Sequence, residues 1–336
     1  YPQWNAELAF VALPHLAILP LTGLLIFLLL TELGISFRTA AWASSAALLS
    51  TFATVMVAQD TRDGLTIPFA VGVLYFLMKA LKAPPANSYA LSLCAGIVAA
   101  LACLFKLTSG LVIIPGFLYL ALRSFEASDR RLRSAAALMA AFLLPVILAL
   151  LYMAWDRYNV FGLFTPVPVT KTIARPRKIP FYEGLFGLLL SPGRGIIWYA
   201  PITLLALLAL PRFFRKHPLE TGFMAVHTII LLILISPLVF WAGHHGWGPR
   251  LLATLIPWLV ILGATFYEEA DLRGRILSWF LVVCGFLVQL PALVVATSSF
   301  YHFRDNTNTS QLPIDFLPSL SQFIVTWKML LAVLTN

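Results

Sequence analysis

Long apolar stretches separated by short polar breaks dominate the hydrophobic pattern of this chain. A helix of about 20 apolar residues crosses the roughly 30 Å hydrocarbon core of a bilayer. The pattern therefore predicts an all-α fold, a polytopic transmembrane bundle of about 10–11 helices joined by outer-face loops. The candidate spans are residues 9–31, 40–58, 65–81, 88–105, 107–123, 134–155, 196–211, 219–241, 251–268, 275–297 and, more weakly, 317–334.

Composition agrees with this membrane assignment. Of the 336 residues, 60% are hydrophobic and 11% are charged, whereas soluble proteins carry about 25% charged residues. The net charge of +9 is explained first by topology and by anionic lipid. We expect no nucleic-acid partner, because zinc-finger spacing and an arginine-rich arm are both missing. The cysteines lie inside apolar runs and are expected to be small buried hydrophobes; they are Cys94, Cys103 and Cys284.

The placement of positive charge suggests an orientation. Segment 123–133, R-S-F-E-A-S-D-R-R-L-R, is rich in arginine and is assigned to the cytoplasm by the positive-inside rule. Alternation of the spans then places Tyr1 on the outer side. The outer polar stretches are 59–64, 156–195, 242–250 and 298–316.

One outer segment, 181–201, interrupts an apolar run with glycine and proline: F-Y-E-G-L-F-G-L-L-L-S-P-G-R-G-I-I-W-Y-A-P. Glycine permits unusual backbone angles, and proline donates no backbone hydrogen bond, so one unbroken helix is excluded. The sequence predicts a short element at the membrane surface, a tight turn that displays Arg194, and a spanning helix that starts at Ile196. The alternative is a loop whose arginine contacts lipid headgroups.

Other outer cations are candidate ligands for an anion. The loop T-K-T-I-A-R-P-R-K-I-P, residues 170–180, either is a solvated loop or captures a phosphate held at the membrane surface. Lys106, in F-K-L-T-S-G, must snorkel outward, pair with an acid, or bind phosphate. The cations of the loop are Lys171, Arg175, Arg177 and Lys178.

A second turn-rich outer stretch is W-A-G-H-H-G-W-G-P-R, residues 241–250, with Arg250 at the mouth of the next helix. The adjacent His244 and His245 cannot easily face one target, so polar interface histidines are favoured over metal ligands. Among the acids, Asp60 and Asp63 form the quartet D-T-R-D. A carboxylate there is a candidate general base or metal ligand, and the alternative is a solvated turn.

In their order and spacing, several motifs resemble bacterial GT-C class membrane glycosyltransferases, the lipid-carrier-dependent enzymes similar to protein mannosyltransferases and aminoarabinose transferases. The resemblance covers about residues 1–270. It rests on L-L-L-S-P-G-R-G-I-I-W-Y-A-P (188–201), W-A-G-H-H-G-W-G-P-R (241–250), the initial Y-P-x-W-x-A-E-L, L-G-I-S-F-R (33–38) and A-L-A-C-L-F-K-L-T-S-G (100–110).

The resemblance implies a single membrane domain, 1–336, in the bacterial inner membrane, with loop 156–195 forming part of a periplasmic site. It implies transfer of a sugar from a polyprenyl-phosphate donor to a lipid, glycan or protein acceptor, by inverting displacement with an acidic base. Arg194, Arg250, Lys106 and the 170–180 cations are the expected donor-phosphate ligands. Further outer-face candidates are Glu183, Trp198, Tyr199, His244, His245 and Trp247.

The sequence departs from the family at the main catalytic aspartate, which the family keeps in the first outer loop. We expect that loop and the first helix to precede Tyr1, so Asp60 and Asp63 are the candidate acids within this chain. No cofactor is assigned, and a divalent metal ion is left open. Two other functions stay open: a transporter or flippase for a lipid-linked or anionic solute, and a non-catalytic relative.

Overall fold

The computed structural model confirms an all-α bundle. It describes residues 6–58, 62–125, 129–162, 179–238, 240–243, 246–295, 299–300 and 314–335, which contain helices and no β-strand. The long helices are α1 (Ala6–Glu32), α2 (Phe37–Leu49), α5 (Ile67–Lys82), α6 (Pro85–Phe105), α7 (Ile113–Phe125), α8 (Asp129–Phe161), α9 (Phe181–Leu190), α11 (Thr203–Lys216), α12 (Pro218–Ile235), α13 (Ile256–Glu269), α14 (Leu272–Val294) and α15 (Gln322–Thr335). The short ones are α3 (Ala53–Ala58), α4 (Arg62–Leu65) and α10 (Ile196–Tyr199).

Within the described residues, six helical segments are long and apolar enough to cross a membrane. They are Asp63–Lys82, Asn87–Phe105, Ala135–Val160, Pro218–Ile235, Arg250–Glu269 and Leu272–Val294. Shorter apolar helices, such as Ala17–Glu32 and Gln322–Thr335, accompany them. The protein is therefore an integral membrane protein, as the sequence predicts.

The predicted span 40–58 is broken in the structure. Helix α2 ends at Leu49, and α3 begins at Ala53. The Ser50 and Thr51 hydroxyls donate to the carbonyls of Ala46 and Ala47, at 2.7 and 2.6 Å. Such side-chain bonds to the preceding turn compete with the helical ladder and favour an ending there.

The helix expected to continue from Ile196 also breaks early. Helix α10 lasts only to Tyr199, and α11 begins at Thr203 after Pro201. Because proline has no N–H and disfavours a helical residue before it, the chain turns between the two helices. Arg194, in the turn before α10, is buried (3% exposed) instead of displayed, because it contacts Gly246, Gly248 and Asp315. The prediction of a displayed arginine is wrong.

Close helix contacts hold the bundle together where small residues meet. Helix α6 crosses α8 at Gly96, where an added Cβ would lie 2.2 Å from the Phe142 carbonyl oxygen. The Ser92 hydroxyl donates to the Leu138 carbonyl at 2.8 Å in the same contact. Small residues let backbones approach in this way, and hydroxyls then bond across helices, which is common between helices in membranes.

Helix α5 connects two polar ends of the bundle. At its C-terminal end, Lys79 and Lys82 both contact the Glu32 carboxylate at 2.7 Å. Lys216 at the end of α11 forms an ion pair with Glu269 at the end of α13. At the N-terminal end of α5 stands Asp63. Sixteen helical residues separate the ends by about 24 Å at 1.5 Å per residue.

Candidate functional site

Three separate segments bring charged side chains together at the Asp63 end of α5. Asp63 lies in α4, Lys106 caps the C-terminus of α6, and Arg250 begins a 3-10 turn, Arg250–Leu255, that leads into α13. The Lys106 ammonium forms an ion pair with Asp63 Oδ1. Arg250 Nε lies 3.7 Å from Asp63 Oδ2. These three side chains are called the charged cluster below.

Local backbone structure explains the position of each member. Gly64 lets α4 approach α3, because an added Cβ would lie 2.9 Å from the backbone of Met56. The Thr66 hydroxyl donates to the Asp63 carbonyl at 2.8 Å and closes the turn before α5. Lys106 adopts an extended backbone that ends α6, and the Ser109 amide donates to its carbonyl at 2.8 Å.

Glycines determine where the Arg250 side chain can pack. Gly243 and Gly248 have positive φ angles of 78° and 54°, a region that glycine occupies without strain. An added Cβ at Gly246 would lie 2.0 Å from Arg250 Cδ, and one at Gly243 would lie 2.8 Å from Arg250 Cγ. The aliphatic stem of Arg250 therefore packs on bare backbone, which only glycine provides at this distance.

A narrow polar cavity, too tight for a water molecule in this conformation, adjoins the charged cluster. Hydroxyl side chains line it besides the three charges: Thr66, Thr108, Ser109 and Thr254. Hydroxyls donate as well as accept hydrogen bonds. The Thr66 hydroxyl already donates to the Asp63 carbonyl. A ligand that enters when these side chains move apart would therefore meet two cationic groups and the hydroxyls of Thr108, Ser109 and Thr254.

The charged cluster carries an excess of positive charge. Two cations share one carboxylate, and the side chains are largely withdrawn from water, with Asp63 only 10% exposed. Arg250 Nε is buried and has no hydrogen-bond acceptor among the described residues. Buried polar groups without partners are costly, and arginine pairs well with phosphate or carboxylate oxygens. The arrangement fits an anionic ligand.

Metal ligation finds less support in this part of the chain. No group of three or more His, Cys, Asp or Glu side chains comes close enough to hold a metal ion among the described residues. The single carboxylate of the charged cluster already contacts two cations. Two cations around one carboxylate favour an anion over a metal ion at the charged cluster.

Arg194 lies in a second cluster beside the first. Its NH1 group donates to the carbonyls of Gly246 and Gly248 and to Gln322 Oε1, the last two at 3.2 Å. Its Nε donates to Asp315 Oδ1, also at 3.2 Å. These contacts are called the arginine network below. The role of Arg194 as a donor-phosphate ligand stays a prediction.

Of the other described candidates, Tyr199 and Trp247 lie beside the arginine network. Tyr199 is buried and donates to the Gly193 carbonyl at 2.8 Å. Trp247 is buried and donates to Gln289 Oε1 at 2.8 Å, while the half-exposed Trp198 donates to the Leu190 carbonyl at 2.9 Å. Glu183 lies in the first turn of α9. Direct contact of these side chains with a substrate stays a prediction.

Several predicted site residues lie outside the described part of the chain, and their roles stay predictions. They are Asp60, Lys171, Arg175, Arg177, Lys178, His244 and His245.

Sequence reasoning missed the neutral polar residues of both clusters. Gln289 and Gln322 are buried glutamines in apolar helices, and such residues in a membrane protein deserve a functional explanation. Thr108 and Ser109 come two and three residues after Lys106, so the motif K-L-T-S-G already contained them. Asp315 is one of the few acids in the outer stretches, but nothing in the sequence links it to Arg194, and Thr254 had no comparable signal.

Comparison with known proteins supports a glycosyltransferase. Residues 5–155 match the sequence model of the dolichyl-phosphate-mannose-protein mannosyltransferase family. Over these residues the match agrees with the resemblance to GT-C glycosyltransferases, a class that transfers sugars from lipid-linked donors. It includes Asp63 and Lys106, whereas Arg250 and the arginine network follow the matched residues. No curated protein and no solved structure matches the chain.

Proposed function

We propose that this protein transfers a sugar from a polyprenyl-phosphate donor to an acceptor hydroxyl, with the charged cluster binding the donor phosphate. The observation that carries the proposal is the convergence of Lys106 and Arg250 on one carboxylate at a hydroxyl-lined cavity. The family match over residues 5–155 supports a lipid-linked donor.

The chemistry is an inverting displacement. The acceptor oxygen attacks the anomeric carbon, and the bond from that carbon to the phosphate oxygen breaks. The phosphate leaves with the electron pair and gains negative charge as the transition state develops. Lys106 and Arg250 stabilise this charge, which is the largest contribution that fixed groups usually make.

Asp63 orients the two cations in this mechanism. Each of its oxygens faces one of them, Oδ1 facing Lys106 and Oδ2 facing Arg250. The proton of the acceptor hydroxyl must pass to a base, and Asp60 is the candidate three residues earlier in the chain. Removing one proton from the acceptor balances the charge that arrives on the phosphate.

The membrane setting fits a donor that carries a long apolar chain. The charged cluster lies where helices end, at the N-terminal end of α5 and the C-terminal end of α6. Large apolar side chains of α6 and α7 are exposed around it, including Phe105 and Ile114. A phosphate at a helix end with its carrier along such surfaces satisfies both parts of a lipid-linked sugar. We assign the site to the outer, periplasmic face.

Sealed vesicles of known orientation test the activity and its side together. The full-length protein is reconstituted, and radiolabelled sugar on a short-chain, water-soluble polyprenyl phosphate is added outside, with membrane lipids and proteins as acceptors. We expect label in the acceptor fraction only when the outer face of the protein is exposed. Transfer from a nucleotide sugar, or no transfer in either orientation, would contradict the proposed function. Transfer only in the opposite orientation would contradict the assigned side.

A further inference from the structure

We propose that Arg194 is a positioning residue that holds Arg250 in place through the glycine loop 246–250. The catalytic consequence rests on the proposed function, because Arg250 is there a ligand of the donor phosphate. The structural link itself does not depend on the reaction.

The first step is the fixation of the loop. Arg194 NH1 donates to the carbonyls of Gly246 and Gly248. Gln322 reinforces both contacts: its Oε1 accepts from the Gly248 amide at 3.1 Å, and its Nε2 donates to the Gly246 carbonyl at 3.3 Å. Two planar side chains thus hold the backbone at Gly246 and Gly248.

The second step is the contact between the loop and Arg250. Gly246 and Gly243 lie against the aliphatic part of the Arg250 side chain, so closely that no side chain fits between them. A shift of the loop backbone therefore moves the Arg250 stem with it. The Arg250 guanidinium begins at Nε, 3.7 Å from Asp63, and a shift of that group changes its distance to any bound phosphate.

Geometry, more than charge, is what Arg194 contributes. Its Nε pairs with the carboxylate of Asp315, which offsets its positive charge locally. Its guanidinium also contacts three acceptors on two segments, the carbonyls of Gly246 and Gly248 in one loop and Gln322 Oε1 in α15. The planar fork of arginine can reach several acceptors at once, while the lysine ammonium is a single point on a flexible stem.

The network joins segments that are far apart in sequence. Besides the contacts of Arg194, the Gly193 amide donates to the Asp315 carbonyl at 2.9 Å. An added Cβ at Gly193 would lie 2.6 Å from Asp315 Cα, so the turn and the segment before α15 are in tight contact. The start of α15 therefore supports the Arg250 loop, although it lies well beyond the residues of the family match.

A double-mutant cycle tests the coupling. Arg194→Lys in the full-length protein is expected to lower kcat for sugar transfer about 10- to 100-fold, as small misplacements of a catalytic group do. In an Arg250→Lys background, we expect the same substitution to lower kcat less than about twofold, because residues that act through each other are not additive. Equal factors in both backgrounds would overturn the proposal.

A chemical probe separates this inference from the proposed function. Phenylglyoxal modifies arginine guanidinium groups, and peptide mass spectrometry reports the modification rate at Arg250 without any donor. We expect several-fold faster modification of Arg250 in Arg194→Lys, and a smaller acceleration in Asp315→Asn, which leaves the buried guanidinium in place. Arg275→Lys, an exposed arginine over the Tyr267 ring, should leave the rate unchanged.

The two readouts fail in different ways. An unchanged modification rate at Arg250 in both variants would overturn the positioning role, whatever the protein catalyses. Faster modification with no sugar transfer by the unsubstituted protein would contradict the proposed function and leave the positioning role supported. Thermal unfolding in detergent checks that Arg194→Lys is folded, and Asp315→Asn supplies the probe result if it is not.

Discussion

Replacing Arg250 by alanine is expected to lower single-turnover sugar transfer by roughly 10²–10³-fold, the usual cost of removing a donor to developing charge. Arg250 Nε is buried beside Asp63 and has no hydrogen-bond acceptor among the described residues. A phosphate that contacts the Arg250 guanidinium offers it acceptor oxygens, and the charge of the phosphate grows as the bond to the sugar breaks. The loss should therefore appear mainly in the rate of the chemical step, with a smaller loss in donor affinity.

Arg250→Lys should restore little of this rate, because lysine keeps the charge but lacks the planar fork that contacts two phosphate oxygens. Arg275→Ala is the matched control, since Arg275 is exposed on α14 and lies over Tyr267. It should retain the native rate. Near-native transfer by Arg250→Ala, with folding confirmed by thermal unfolding, would remove Arg250 from the phosphate site.

Asp63→Asn is expected to lower kcat about 100-fold without raising the donor KM. The substitution keeps the shape of the side chain but removes the negative charge that orients Lys106 and Arg250. The cavity then becomes more positive, which favours an anionic donor in the ground state. The cations are less well placed for the transition state, and small misplacement costs up to about 10²-fold in rate.

The control for this substitution is Asp271→Asn. Asp271 caps the N-terminus of α14 by accepting from the Gly274 amide at 2.8 Å, and asparagine caps helices about as well as aspartate. We expect no change in transfer there. A fall in donor affinity at unchanged kcat for Asp63→Asn would contradict the orienting role.

The helical architecture could be predicted because the bilayer imposes it. Spans such as 65–81 and 275–297 appear in the structure as α5 and α14, shifted by a few residues. The points where helices end inside an apolar run were harder to predict from the sequence. The end of α2 depends on hydroxyl bonds from Ser50 and Thr51, and a single Ser-Thr pair inside an apolar run does not by itself indicate an ending.

The site could be predicted residue by residue but not as an arrangement. Lys106, Asp63 and Arg250 were each candidates for separate reasons, and the sequence contains no measure of their distance in space. Arg194 shows the limit most clearly. Its position in a glycine-rich outer turn favours exposure, yet its partners Asp315 and Gln322 lie more than 120 residues away. Burial of this kind depends on tertiary contacts that no local pattern encodes.

The position of the donor phosphate is the central claim, and photo-crosslinking tests it most directly. A polyprenyl phosphate with a photoreactive group beside the phosphate is bound to the full-length protein, irradiated, and mapped by peptide mass spectrometry. We expect crosslinks in the segments that line the cavity, 63–66, 106–109 and 250–254, and their loss when excess unlabelled polyprenyl phosphate is present. Competed crosslinks confined to other segments, with none at these three, would contradict the assignment of the charged cluster as the donor site.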